Sequence, residues 1–207
     1  MGTNVITITR EFGSMGRPIA KIVAEKMGYE YLDRDIIDAT VEKTGIPIEQ
    51  FLEMDERPLT AYDKMIYPLG IGDAVKQDRI FAAEEEAIRE LAEKKNCVIV
   101  GRCSDYILHK ANKKSLFSVH IYAPIQVRKN FGMEQLEIRP DKIDDYIIRV
   151  DTGRSEFYKR HTGVSFSSMT YRDMMINSES VPKEEIADII CYMAKKKFAQ
   201  IKKEEKV

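Results

Sequence analysis

The chain opens on a hydrophobic segment rich in β-branched residues, and a helical pattern of apolar positions follows it. Val5–Thr9 contains no proline or glycine and predicts a β-strand. After a polar segment with glycines, apolar residues recur at helical spacing at Ile19, Ile22, Val23 and Met27. Gly28 comes next, where a helix commonly ends. The pattern predicts a strand, a short loop and an amphipathic helix in direct succession.

The same alternation of short apolar runs with helical stripes continues along the chain. Cys97–Val100 is apolar throughout and precedes Gly101, which is typical of a strand buried on both faces of a parallel sheet. Further strands are predicted at 29–32, 116–123 and 171–177. Helices are predicted over about 34–43, from about 78, over 106–109, from Pro124 to a break at Gly132, over about 141–159 and from Ser180. The predicted fold class is α/β, with a parallel sheet of about five strands and helices on both faces.

Residues 55–72 fit neither the strand pattern nor the helix pattern. Prolines and glycines interrupt the segment, while residues such as Leu59 and Tyr67 give it apolar weight. It is expected to be either a mobile flap over a binding site or a contact in a homo-oligomer, and the sequence leaves both open.

Composition narrows the classes of protein that the chain can belong to. It has 207 residues, of which 43% are hydrophobic, and its 33 basic and 34 acidic residues give a net charge of −1. This balance argues against a nucleic acid polymer or a membrane surface as the main partner. No apolar run approaches the roughly 20 residues that span a bilayer, and no signal-peptide pattern is visible at the first residues. We expect one domain over residues 1–207, in the cytoplasm.

The loop between the first strand and the first helix is the leading candidate for chemistry. It contains Gly13, Ser14, Met15, Gly16, Arg17 and Pro18. A strand that enters a glycine loop and then a helix directs backbone N–H groups and the positive helix end at an anion. Against the pattern G-x-x-x-x-G-K-[ST], Gly16 takes the second glycine position and Arg17 the lysine position, while Glu11 and Pro18 depart from it. A purely structural turn is the alternative.

Further candidates follow other predicted strands and a long helix. Arg102, just after a buried strand, suits a bidentate phosphate contact or a structural ion pair, for which Asp105 is a candidate partner. Asp33 follows the second strand and caps a helix or accepts hydrogen bonds from a ligand. Asp151, Arg154 and Tyr158 share one face of the long helix, where an exposed ion pair is the alternative to a catalytic arginine.

The histidines and cysteines indicate no metal site and no disulfide framework. His109, His120 and His161 share no ligand spacing, and each is expected at the surface or in the core. The three cysteines are too few and too scattered to form a zinc site.

Several motifs together resemble the cytidylate kinase-like family of P-loop proteins. In chain order they are Arg10–Ser14, Gly16-Arg17, Tyr31–Asp33, Val98–Cys103, Ile121–Pro124 with Arg128, Asp151, Arg154 and Tyr158, Thr162-Gly163, Tyr171–Asp173 and Ile176–Ser178. The resemblance covers nearly the whole chain. It implies a three-layer P-loop NTPase fold with a helical lid at about 128–163 and an acceptor-binding region at about 34–80.

The resemblance also implies cofactors and roles for residues. ATP and Mg²⁺ are the implied cofactors, with the loop 13–18 around the donor phosphates and the Arg17 guanidinium spanning the β and γ groups. Arg102 and Arg154 complete the catalytic set. Residues implied to bind the acceptor are Asp33, Arg102, Asp105 and Asp151. Met15 departs from the family, in which a glycine is usual at this position.

The function implied is phosphoryl transfer from ATP to a nucleoside monophosphate such as CMP, with positioning and charge stabilisation as the main catalytic effects. Two alternatives remain open. One is a nucleotide-binding regulatory protein that has lost turnover, which Met15 and Pro18 favour. The other is a kinase of a different small metabolite, since fold and donor site do not fix the acceptor.

Overall fold

The computed structural model describes residues 2–33, 35–45 and 74–204. Its strands are β1 Val5–Arg10, β2 Glu30–Leu32, β3 Cys97–Val100, β4 Leu116–Tyr122 and β5 Met174–Asn177. Its helices are α1 Gly16–Met27, α2 Asp35–Thr44, α3 Ala74–Lys94, α4 Ser104–Lys110, α5 Ile125–Gln135, α6 Ile143–Thr162 and α7 Lys183–Glu204. The segment 55–72, which fits neither the strand pattern nor the helix pattern, lies outside the described residues.

The strands form one five-stranded sheet in the order β2-β3-β1-β4-β5, and every neighbouring pair is parallel. β1 lies at the centre, with Val5 paired to Cys97 on one side and to Leu116 on the other. All six residues of β1 are buried, because strands flank it and helices cover both faces. The predicted parallel sheet is confirmed.

Two apolar cores lie on opposite faces of the sheet. On one face, Ile6 and Ile8 of β1 pack with the apolar stripes of α1 and α7, which include Ile19, Val23 and Ile190. On the other face, the core joins Val5, Cys97 and Ile99 to residues of α2, α3, α4 and α6. Two helical layers around one sheet make the predicted three-layer architecture.

A third apolar cluster joins α5 and α6 to the loop after β1. Phe12 from the loop packs with Ile138, Ile143, Ile147 and Val150. Gly132 was expected to end α5, but the helix continues through it to Gln135. A Cβ at Gly132 would lie 2.4 Å from Cδ1 of Ile143, so glycine permits close packing here rather than a chain break.

Within the described parts of the chain, no helix is both long enough and apolar enough to cross a membrane.

Candidate active site

Hydrogen bonds from polar groups of the loop between β1 and α1 fix its conformation and its position against β4. The Ser14 hydroxyl is buried and lies 3.0 Å from the carbonyl oxygens of both Glu11 and Ile121. The backbone N–H of Glu11 also donates to the Ile121 carbonyl (3.1 Å). These bonds tie the loop to the end of β4. The Ser14 side chain therefore shapes the loop from within.

Two loop residues have left-handed backbone angles. Gly13 has a φ of 70° and Met15, just before α1, has a φ of 60°. For methionine this conformation costs about 1 kcal/mol or more. A Cβ at Gly13 would lie 2.7 Å from the carbonyl oxygen of Arg128, so this position requires glycine on two grounds. The loop thus needs glycine at position 13, and Met15 is a strained residue where glycine would relax the backbone.

The start of α1 suits an anion. Met15 supplies no side-chain cap to the helix, and no acidic residue lies in its first turn. The unpaired N–H groups of a helix start carry partial positive charge and point at whatever lies beyond the helix end. Arg17 adds a full positive charge one residue into the helix. These features fit the phosphate groups of the predicted nucleotide.

Arg17 contacts Asp33 across the loop edge. Its Nε donates to Oδ2 of Asp33 at 2.7 Å, and its Nη2 lies 3.4 Å from Oδ1. The hydroxyl of Tyr31 also donates to Oδ2 of Asp33, at 3.2 Å. Burial, and next the negative charge of Asp33, raises the pKa of Tyr31 to about 12, so this phenol remains a hydrogen-bond donor. Residues predicted for the donor side and the acceptor side therefore touch each other.

A pocket rich in arginine opens beside the loop, at the carboxyl ends of β1 and β3. Arg10, Arg102 and Arg154 line it and are only 5–6% exposed. The described lining contains no carboxylate, and its other residues are Thr9, Gly101, Cys103, Phe157, Tyr158 and Phe166. The structure thus brings Arg102 and Arg154 together, as expected of a shared site, and adds Arg10.

A left-handed turn places Arg102 at this pocket. Gly101, Arg102 and Cys103 follow β3 with φ values of 77°, 58° and 52°. Residues other than glycine adopt this region at a cost of order 1 kcal/mol each, and such strain concentrates at functional sites. The turn ends where α4 begins at Ser104, whose N–H donates to the Gly101 carbonyl (3.1 Å). The backbone is therefore strained at the point that carries the pocket arginine.

Arg102 forms an ion pair with Glu84 of α3, not with Asp105 as proposed from sequence. Nη1 of Arg102 lies 2.8 Å from Oε1 of Glu84, and both side chains are almost fully buried. The carboxylate of Asp105, in the first turn of α4, instead accepts a hydrogen bond from the Tyr158 hydroxyl (3.0 Å) and lies 3.7 Å from Nε of Arg172. α4 directs Asp105 away from Arg102, and Asp105 does not line the pocket.

A buried polar cluster lies behind the pocket. The Arg172 guanidinium lies over the rings of Tyr158 and Phe166, with centroids 5.6 and 5.3 Å from Cζ. Burial raises the pKa of Asp105 and that of Tyr158 and lowers the pKa of Arg172. The cluster fixes Tyr158 and Phe166, two aromatic walls of the pocket.

Asp151 and Arg128 connect α6 and α5 to the loop. Asp151 accepts a hydrogen bond from the Phe12 N–H (2.8 Å) and contacts the Arg128 guanidinium. Arg128 also donates to the Phe12 carbonyl (2.7 Å) and to Glu11 (3.2 Å). Nη1 of Arg154 lies 3.8 Å from Asp151. Asp151 thus contacts the loop and α5, while Arg154, one turn later, reaches the pocket.

Residues 2–33, 35–45 and 74–204 contain no set of side chains that could ligate the predicted Mg²⁺. No group of three His, Cys, Asp or Glu side chains is close enough there to hold an ion. Pro18 stands where the general loop pattern has a hydroxyl ligand. We therefore assign no side chain to Mg²⁺ and derive no step through it.

His120 belongs to the core beside the pocket, one of the two placements expected for it. Its Nδ1 lies 2.9 Å from the Thr9 hydroxyl. Burial, and next the positive charge of Arg172, lowers its pKa from 6.5 to about 3. Folding therefore favours neutral His120, and the resulting stability is present above pH 6.5 and lost as pH falls toward 3.

Acid should consequently destabilise the protein partly through His120. We expect the His120 contribution to the free energy of unfolding to fall by about 1.4 kcal/mol for each pH unit below the unfolded-state pKa. The measurement is urea unfolding of wild type and His120→Asn from neutral to mildly acidic pH. Asparagine keeps a polar atom near the Nδ1 position but does not titrate, so the variant should lose less stability over that range. Parallel curves for the two proteins would contradict this assignment.

Comparison with known proteins identifies the family of this chain. Residues 5–180 match the cytidylate kinase-like family. The chain belongs to that family. It is 30% identical over 193 residues to a cytidylate kinase of Archaeoglobus fulgidus, and the match covers 89% of this chain and 91% of that protein. Membership of this kinase family supports a phosphotransferase that acts on a small molecule.

Solved structures show the same fold. A protein from Eubacterium ventriosum ATCC 27560 matches with a TM-score of 0.69 at 20% identity, covering 93% of this chain and 99% of that chain. A gluconokinase from Sinorhizobium meliloti 1021 matches with a TM-score of 0.56 at 16% identity, covering 97% of both chains. The predicted P-loop kinase fold of this cytidylate kinase-like chain is confirmed.

Sequence reasoning gave no role to three charged residues of this cytidylate kinase-like site: Arg10, Glu84 and Arg172. Glu84 could have been recognised from the sequence, because it falls on the apolar stripe of α3 between the buried Ile80 and Ile88. A charge at such a position indicates a buried partner. Arg10 and Arg172 adjoin strand ends and fall within two of the family-like motifs, Arg10–Ser14 and Tyr171–Asp173, but no residue pattern there indicates what each guanidinium contacts.

Proposed function

We propose that the chain transfers the γ-phosphoryl group of ATP to a nucleoside monophosphate, with CMP as the preferred acceptor. The observation that carries the proposal is the pocket lined by Arg10, Arg102 and Arg154 beside the loop of Gly13–Arg17. Parallel α/β sheets bind ligands at the carboxyl ends of their strands, and both features lie there. Guanidinium groups match phosphate geometry bidentately, which favours an anionic acceptor.

The loop and the start of α1 hold the donor phosphates in this proposal. Backbone N–H groups from Gly13 to Arg17 surround the phosphate oxygens, and the Arg17 guanidinium offsets the charge of the β and γ groups. Mg²⁺ supplies further charge neutralisation when it is bound with ATP. Ser14 keeps the loop in shape, and Asp151 with Arg128 ties the loop to the two helices that flank it.

The arginine pocket holds the acceptor phosphate. Arg102 binds it from the strained turn after β3, with Glu84 fixing the guanidinium orientation. Arg154 reaches the pocket from α6 and stabilises the negative charge on the group in transfer, because its charge is preorganised in a site with little water. Asp33, at the end of β2, accepts hydrogen bonds from the acceptor nucleoside. Asp105 does not contact the acceptor in this proposal; it accepts a hydrogen bond from Tyr158 and holds that side chain in the pocket wall.

The experiment is coupled ADP release with Mg²⁺ across CMP, UMP, AMP, GMP and gluconate. We expect turnover with CMP to exceed turnover with the purine nucleotides by at least about tenfold, since an enzyme discriminates between substrates by differential binding of their transition states. Gluconate should not raise ADP release above the acceptor-free rate. The opposite order would reassign the acceptor. ATP binding with no ADP release for any acceptor would favour the regulatory alternative.

A further inference from the structure

The contact between Arg17 and Asp33 joins the two halves of the proposed site. Asp33 engages Nε and Nη2 of Arg17, which form one edge of the guanidinium group. A guanidinium offers two edges for bidentate contact with a phosphate, Nε with Nη2 and Nη1 with Nη2. The Asp33 carboxylate occupies the first edge of Arg17, and one edge cannot serve a carboxylate and a phosphate together. A donor phosphate that binds Arg17 through Nε and Nη2 must therefore displace Asp33.

The surroundings of Asp33 make this contact a substantial competitor. The Asp33 side chain is 14% exposed and that of Arg17 is 35% exposed, so water screens the pair less than it screens a surface pair. Tyr31 donates a further hydrogen bond to Oδ2 of Asp33 and keeps its proton, given its pKa of about 12. The carboxylate is therefore oriented and directed at Arg17.

We propose that Asp33 is a positioning residue that restrains Arg17 in the nucleotide-free protein and couples donor binding to acceptor binding. The inference rests on the proposed function. A donor phosphate draws Arg17 away from Asp33, and the carboxylate then becomes available to hydrogen-bond donors of the acceptor. By thermodynamic linkage, an acceptor that engages Asp33 must favour release of Arg17 to the donor by the same factor.

The test measures binding equilibria, so it does not depend on turnover. Titration calorimetry with a non-hydrolysable ATP analogue and with CMP gives the dissociation constant of each ligand alone and in the presence of the other. For wild type we expect each nucleotide to tighten the other by about fivefold or more. Asp33→Asn keeps the shape of the side chain but removes its charge. It should bind the ATP analogue alone about fivefold more tightly than wild type and show a coupling factor near one.

Two further variants separate this role from a general effect of charge near α1. Asp188→Asn breaks another ion pair to α1, that with Lys26 at 2.6 Å, and should leave both affinities and their coupling unchanged. Tyr31→Phe removes only the hydrogen bond to Asp33 and should shift the affinity for the ATP analogue in the same direction as Asp33→Asn, by less.

The outcomes distinguish this inference from the function on which it rests. A wild-type protein that binds no ATP analogue would remove the proposed function and the inference together. A wild-type protein that binds it, while Asp33→Asn binds it no more tightly, would overturn the inference alone. Coupling that persists unchanged in Asp33→Asn would do the same.

Discussion

Replacing Arg154 with methionine is expected to lower kcat for the acceptor by about 10³-fold, because an arginine that stabilises the charge of a phosphoryl group in transfer contributes an effect of this size. Methionine preserves much of the apolar stem and removes only the guanidinium. The Arg154 side chain donates to the Arg10 carbonyl (3.3 Å) and lines the arginine pocket, to which we assign the acceptor phosphate. The affinity for an ATP analogue should therefore change much less than kcat.

Arg149→Met on the same helix is the matched control. Arg149 is exposed and lies over the Tyr146 ring, with its Cζ 5.6 Å from the centroid, and it does not line the pocket. Steady-state kinetics and urea unfolding should be measured on both variants. We expect kcat to fall only in Arg154→Met. Equal kcat values in the two variants, or a loss explained by unfolding of Arg154→Met, would contradict the role given to Arg154.

Gly13→Ala is expected to destabilise the protein strongly. Its left-handed backbone costs alanine about 1 kcal/mol, and the clash with the Arg128 backbone brings the total to about 3 kcal/mol. The carbonyl oxygen and Cα of Arg128 lie 2.7 and 2.9 Å from the added Cβ, and backbone atoms yield less than the tip of a side chain. Because Arg128 contacts Glu11 and Asp151, the shift should also weaken nucleotide binding.

Gly28→Ala isolates the cost of the backbone angle. Gly28 ends α1 with a φ of 65°, close to the 70° of Gly13, but nothing lies within 4 Å of an added Cβ. We expect Gly28→Ala to lower the free energy of unfolding by about 1 kcal/mol. The measurement is the urea midpoint of each variant. Equal losses at the two positions would show that the contact with Arg128 contributes nothing.

The sheet, the helices and the phosphate loop could be predicted because their signals are local. Cys97–Val100 shows its burial as an unbroken apolar run, and Gly28 marks the end of α1 in the residues themselves. The loop is also contiguous, so its glycines and Arg17 are visible together in the sequence. The helix end predicted at Gly132 was wrong for the opposite reason. Gly132 permits close packing against Ile143 of another helix, and the local sequence does not show that contact.

The pocket could be predicted only in part, because distant segments build it. Arg102 and Arg154 were found separately, but the partner of Arg102 depends on α3 and on the left-handed turn after β3. Asp105 is the candidate ion partner of Arg102 from the sequence because it lies about one turn later in the chain. The helix turns its carboxylate instead toward Tyr158 and Arg172. The Arg17–Asp33 contact likewise depends on the position of β2 beside β3.

Transfer of a phosphoryl group between two bound small molecules can be observed in a single turnover. The wild-type protein is mixed with ATP labelled at the γ-phosphate, Mg²⁺ and CMP, and the labelled products are separated and identified. We expect the label to move to CDP as ADP forms in equal amount. Label that appears only as inorganic phosphate, or stays in ATP that is demonstrably bound, would contradict this expectation.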